Sequence, residues 1–268
     1  MMTPKETFHE WTETVADLKR DWDLRVKKLE KKFEEIQDEL EARFGSDDSH
    51  VVFRELPKPK RMRKSLTETL MDRRTQRTFS DEPLTDTDLA TLLWAADGVN
   101  RKNGKRTMPS ALNWRETDIY VLKANGIWRW EPDRHGLIFL ALEDVRSETI
   151  VAQPTLHSAP VHLVFVSNKS RTETLVSRLG SRVVENVVRD PNPKAKLEEM
   201  RGRSMVVDAG IRIGALCMAA SAMDLSCVVR TGFDKEKVET ILRLREGEEV
   251  VAITTIGYRP TSIFDAIG

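Results

Sequence analysis

Apolar side chains recur every three or four positions between residues 5 and 44. Phe8, Trp11, Val15, Leu18, Trp22, Val26, Leu29, Phe33, Ile36, Leu40 and Phe44 are separated by charged residues. That spacing predicts one amphipathic helix roughly 60 Å long, ended by Gly45-Ser46-Asp47-Asp48. Such a stripe must be covered by its own domain, by a second copy or by another protein, and packing across a dimer is the reading adopted. The pattern then lapses over 51–64, VVFRELPKPKRMRK, where prolines and basic residues predict an extended, solvated linker rather than a nucleic-acid contact. The expected organisation is a helical extension at 1–50, a linker at 51–64 and a main domain over 65–268.

Within 65–268 the periods alternate irregularly. Helical spacing predicts helices over 65–73 and 86–97, the second with Leu89, Leu92, Leu93 and Ala96 on one face and Thr85 or Asp86 as its cap. From 117 the run Asp118-Ile119-Tyr120-Val121-Leu122 reads as a strand, Asn125-Gly126 as a hairpin turn and Ile127–Trp130 as the return strand. Helices are expected over 144–152 and 171–188, with a buried strand at Val161–Val166 between them. A long helix over 195–223 is apolar nearly all round in its second half and so should cross the core. A strand at 225–230, a helix at 234–243 and a strand at 249–257 follow. Helices and strands that mix without regular βαβ alternation indicate an α+β fold.

Composition narrows the partners. Lys plus Arg and Asp plus Glu are both 43, so the net charge is zero and any anion site must be local. No global field favours nucleic acid or an anionic membrane. The N-terminal residues lack the pattern of a secretory leader, and no apolar run approaching the roughly 18 residues of a membrane span is expected. Cys217 and Cys227, without CxxC spacing, read as reduced thiols, Cys217 in a helix core. The expectation is a soluble cytoplasmic protein.

Motifs for several chemistries are absent from the sequence. There is no HExxH, no EF-hand loop and no paired cysteine ligands, so no metal is expected, and His157 and His162 read as structural histidines flanking a strand. Neither a GxSxG elbow, a Walker A loop nor a GxGxxG after a strand occurs. Three features remain. Arg73-Arg74-Thr75-Gln76-Arg77 gathers guanidiniums and a hydroxyl suited to phosphate oxygens, although on these residues alone a solvated basic turn fits equally well. Thr107–Arg115 is a polar loop before a strand, with Pro109 setting the turn and Ser110 and Asn113 able to read a heteroaromatic edge. Arg230-Thr231-Gly232-Phe233-Asp234 is a strand-to-helix turn, where Gly232 lets a planar ligand approach the backbone. No side chain is nominated as a catalytic acid or base.

Taken in order, these segments resemble the FMN-dependent nitroreductase family. The likeness rests on the basic-hydroxyl segment ending in Phe79, on Leu92–Arg101 (LLWAADGVNR), on Pro109-Ser110-Ala111-Leu112-Asn113, on AASAMDLSCVV and on Gly232-Phe233-Asp234. It implies a central mixed, mainly antiparallel sheet surrounded by helices and a homodimer with FMN at the subunit interface. The resemblance further implies that Arg73, Thr75 and Arg77, with Arg74 nearby, hold the FMN phosphate, and that Arg259 is a C-terminal phosphate contact. Pro109, Ser110 and Asn113 would border the ring from the partner subunit, and the Gly232 N–H would donate to the flavin. Two positions depart from the family: Arg115 stands where Gln is frequent, and Thr231 where acidic or bulky residues are frequent. The activity implied is hydride transfer from NAD(P)H through flavin to a small nitro, quinone or related acceptor. Two alternatives stay open: a flavin-binding interaction protein without robust turnover, and a same-fold azoline dehydrogenase or reduced-flavin-cleaving enzyme.

Overall fold

The computed structural model describes residues 52–171 and 192–260. Both the helix expected over 5–44 and nearly all of that expected over 171–188 lie outside these residues. The elements in chain order are β1 (Phe53–Glu55), α1 (Leu66–Asp72), α2 (Asp86–Asp97), β2 (Thr117–Lys123), β3 (Gly126–Glu131), β4 (Gly136–Ala141), β5 (Val161–Asn168), α3 (Pro193–Ala222), β6 (Leu225–Arg230), α4 (Lys235–Ile241) and β7 (Glu248–Tyr258). The architecture is α+β, with one seven-stranded sheet in the order β1-β4-β3-β2-β5-β7-β6. Every pairing among the described strands is antiparallel, so the mixed component expected of the sheet does not appear among them.

Central strand β5 is buried along its whole length, because the sheet is covered on both faces. Alternation sorts its side chains. Leu163 and Phe165, with Ile119 and Val121 of β2, pack against Leu89, Leu92 and Leu93 of α2 and Leu216 and Ala220 of α3. On the other face Val164 and Val166, with Tyr120 and Leu122, meet Val238 of α4 and Leu242. Local chemistry starts the helices: Ser65 and Glu68 form a reciprocal capping box on α1, and the Thr85 side chain accepts from the Asp88 N–H on α2.

Several expectations are corrected. In place of a helix over 144–152 there is one 3₁₀ turn, Ser147–Thr149, and a second, Pro154–Ser158, follows it. The β-branched run Thr149-Ile150-Val151 and Pro154 leave no room for a sustained α-helix. The segment after residue 51 is no free tether. β1 pairs with β4, Leu56 is buried, and the Lys60 N–H donates to Thr91 Oγ1 at 2.9 Å. At Gly136 a Cβ would run into the Phe53 ring, so glycine permits this edge pairing. Contrary to the composition reading, Arg201–Ala222 is long and apolar enough to cross a bilayer by length and composition. Half of that segment is buried inside the fold, and Asp208 and Arg212 lie within it, buried, which is the pattern of a core helix.

Candidate active site

α1 ends where the basic segment begins. Arg73 leaves the helix in extended conformation (φ −64°, ψ 120°). The chain then runs beside the sheet edge, with the Gln76 N–H donating to the Cys227 carbonyl at 3.1 Å and the Ser80 N–H to the Tyr258 carbonyl at 3.0 Å. In an extended segment, Arg73, Thr75 and Arg77 share a side. They line a cavity of about 130 Å³ together with Arg74, Cys217 and Ser221 of α3, Leu225, Cys227 and Val229 of β6, and Arg259. Four arginines thus meet at one place, although Arg259 is 186 positions from Arg73 in the chain.

The charge balance there is unequal. Asp72 and Asp224 are the nearby carboxylates, and Lys64 Nζ bridges them at 2.8 and 2.6 Å. The hydrogen bond from Lys64 holds the Asp72 carboxyl below its ordinary range. Arg259 Nη1 lies 3.5 Å from Asp224, while its buried Nε has no hydrogen-bond partner. Among the described residues, Arg73, Arg74 and Arg77 make no ion pair. Converging guanidiniums repel one another until an anion arrives, and their forked N–H groups match phosphate oxygens.

The other predicted residues stand apart from this seat within the single chain. Thr231 and Gly232 lie just past the end of β6, Gly232 roughly 16 Å beyond Cys227 at about 3.3 Å per residue. A Cβ on Gly232 would meet nothing within 4 Å, so this chain's own packing does not demand glycine there. The preceding Arg230 is structural: buried, it donates to the Thr149 carbonyl at 2.6 Å and to Thr255 Oγ1 at 3.1 Å. Beside it, burial pushes His162 down to about 3, leaving it neutral, in keeping with a core histidine.

Pro109 and Ser110 precede a 3₁₀ turn, Ala111–Asn113, that ends with Asn113 and docks on the middle of α3, where the Ala111 N–H donates to Asp208 Oδ2 at 2.7 Å. Along α3, Cys217 of the arginine cavity is nine residues further, or roughly 14 Å. Asn113 and Arg115 both have positive φ, 57° and 55°, which shapes the loop. The Arg115 guanidinium is held by its own surroundings, donating to the Gly104 carbonyl at 3.1 Å. Beneath the loop lies a buried charge network that single residues in the sequence did not announce. Asp97 is contacted by Arg106 and by Arg212 Nε at 3.0 Å. Burial still holds the Asp97 carboxyl above its ordinary value. Glu116 is fully buried, and that burial together with neighbouring Asp208 pushes it up to about 7. An isolated acid carries no sequence signal for burial; only the place of Glu116 directly before a strand of buried residues points to it.

The profile of the Nitroreductase family matches residues 70–258, which include the basic segment, the Pro109–Asn113 loop and the Gly232 turn. The chain belongs to the nitroreductase family. Among its relatives, the "Putative nitroreductase" of Methanocaldococcus jannaschii is 31% identical over 128 residues, 44% of this chain. That match spans 65% of the relative, just under two thirds of its length. A Ralstonia eutropha JMP134 protein described as a "putative nitroreductase" has a crystal structure similar to this fold, with TM-score 0.66 and 30% identity over 78% of this chain and 90% of that one. A Staphylococcus epidermidis ATCC 12228 protein, described as a "putative NAD(P)H:FMN oxidoreductase", shares the fold at TM-score 0.51 and 15% identity, covering 77% of this chain and 92% of its own. For a nitroreductase-family chain, the α+β fold follows directly.

Proposed function

We propose that this chain is an FMN-dependent oxidoreductase that accepts hydride from NADH or NADPH and passes it to a small nitro, quinone or related acceptor. The observation that carries the reading is the arginine cavity. It holds three guanidiniums without ion pairs among the described residues, and a fourth, Arg259, whose buried Nε lacks a hydrogen-bond partner. A phosphate monoester fits that donor set, being compact, dianionic and able to accept several N–H bonds at once. FMN, when bound, supplies reversible hydride acceptance and return. In this reading Arg73, Arg77 and Arg259, with Thr75 and Arg74, bind the phosphate. The Gly232 N–H and the Thr231 turn orient the ring at the far end of β6, and Pro109, Ser110 and Asn113 of a second copy border it. No acid or base of this chain is required.

A second copy is supported by what the fold leaves uncovered. On α3, Val206 and Val207 are 60% and 58% exposed, and Ile211 follows on the same face. A Cβ on Gly210 or Gly214 would meet nothing, so a partner helix can approach closely there. Leu66 and Met71 of α1 are 69% and 81% exposed. Apolar patches of this kind on helices mark association surfaces, and a homodimer accounts for them.

The test is direct. Purified protein should carry FMN, identified after acid release, and excess NADH or NADPH without oxygen should bleach it. Bleached enzyme should be reoxidised by nitro or quinone compounds. A bound flavin that stays oxidised with both nicotinamides would leave a flavin-binding protein and remove the reductase.

A further inference from the structure

The arginine cavity has a floor that phosphate binding does not use. Cys217 on α3 and Cys227 on β6 bring their Sγ atoms to 3.7 Å, and both line the cavity. They are the chain's only cysteines, and both are free. We infer that this pair is an oxidisable dithiol: a hydroperoxide entering by the cavity is reduced by Cys217, and Cys227 then closes a disulfide. The proposal does not require that the cavity bind FMN; it concerns the chain when no phosphate fills the cavity.

Geometry sets the order of events. Cys217 is partly exposed, whereas Cys227 is only 8% exposed, so peroxide meets Cys217 first. The Cys227 thiol hydrogen-bonds Cys217 and holds it below the ordinary thiol range, with Arg73 adding to the effect; the same pairing and burial push Cys227 well up. Cys217 is therefore the thiolate and Cys227 the proton-bearing partner, the division of labour a dithiol needs. In the first step the Cys217 sulfur attacks the terminal peroxide oxygen. An S–O bond forms, the O–O bond breaks, and the other oxygen leaves after protonation as water from hydrogen peroxide, or as an alcohol from an organic hydroperoxide, giving a sulfenic acid. In the second step the Cys227 sulfur attacks the Cys217 sulfur. The S–S bond forms, the S–O bond breaks, and the hydroxyl departs with the Cys227 proton as water. The dithiol loses two electrons, and the peroxide gains them. Forming the bond closes the Sγ–Sγ gap from 3.7 Å to about 2.05 Å. The bond would tie the end of α3 to β6, whose Cys227 carbonyl already anchors the arginine segment through the Gln76 N–H.

Full-length protein, reduced, desalted into a buffer free of phosphate and flavin, and given one equivalent of hydrogen peroxide, should lose both titratable thiols. No Lys or Arg separates the cysteines, so both fall in the tryptic peptide Ile213–Arg230. That peptide should become lighter by two hydrogens and resist alkylation until reduced. In Cys227→Ser the reaction should stop at a sulfenic acid on Cys217 that dimedone traps, and Cys217→Ser should leave Cys227 unreacted. Sulfinic or sulfonic acid on Cys217 of the wild-type protein without the internal bond would overturn the proposal. So would thiols that survive the peroxide, or Cys227 reacting as readily in Cys217→Ser.

Discussion

Arg73 and Arg77 show how much a guanidinium's meaning depends on what does not surround it. Both follow a short helix, and among the described residues no carboxylate pairs with either; Lys64 takes Asp72 and bridges it to Asp224. Replacing both by Ala should strip FMN from the purified protein. Charged hydrogen bonds are worth about 1.5–3 kcal/mol each, so the pair should cost at least about a hundredfold in affinity. Fluorescence titration of apoprotein with FMN measures this, and an unchanged Kd would place the phosphate elsewhere. The basic segment itself was legible in the sequence, because Arg pairs with a flanking Thr are compact. Arg259 could be nominated only through the resemblance, and its approach to the same cavity needed β7 to return beside β6. Cys217, read from sequence as helix core, lines that cavity because the last turns of α3 rise above β6.

At the scale of elements, periodicity served wherever an element buries one clear face. α2, β2, β5, β6 and β7 stand where their patterns put them, and Thr85 caps α2 as its chemistry requires. Periodicity missed β1 and β4. β1 is three residues long, too short for a period, and β4, Gly-Leu-Ile-Phe-Leu-Ala, is apolar without alternation. What no periodic reading could reveal is the pairing of α3 with the start of β2, where Glu116 meets Asp208 beneath the Pro109–Asn113 loop. Glu116 rises from an ordinary 4.5 to about 7 in the folded chain, burial being the main cause. The folded state therefore holds this proton more tightly than the unfolded state, and the proton favours folding. Its contribution is complete below about pH 4.5 and is lost as pH rises through about 7, amounting to roughly 1–3 kcal/mol. Glu116→Gln, which cannot titrate, should flatten that part of the stability profile and unfold at higher urea than wild type near pH 8. Urea midpoints across this range decide the matter; parallel profiles for the two proteins would show that Glu116 is not the titrating group.

For the whole molecule, one chain contains an arginine-lined cavity, the Gly232 turn at the far end of β6 and a polar loop docked midway along α3, but it does not bring the loop to the cavity. An exchange between two copies would do so, and the exposed face of α3 is where it would be made. Val206 and Val207 point outward beside Gly210, while Met205, Ala209 and Ile213 fill the core behind them. A helix with apolar residues on both sides has a second partner in view. Val206→Asp with Val207→Asp should leave the core untouched and place two buried, unpaired carboxylates from each copy in any α3-to-α3 contact, a cost of several kcal/mol per dimer. The variant should sediment as a monomer with an unchanged circular dichroism spectrum. It should also retain FMN poorly, because the ring would lose its border from the second copy while the arginine seat stays intact. A variant that remains dimeric would move the interface off α3. A monomer that keeps its flavin would show that one chain completes the site alone, and that the Pro109–Asn113 loop serves α3 rather than the ring.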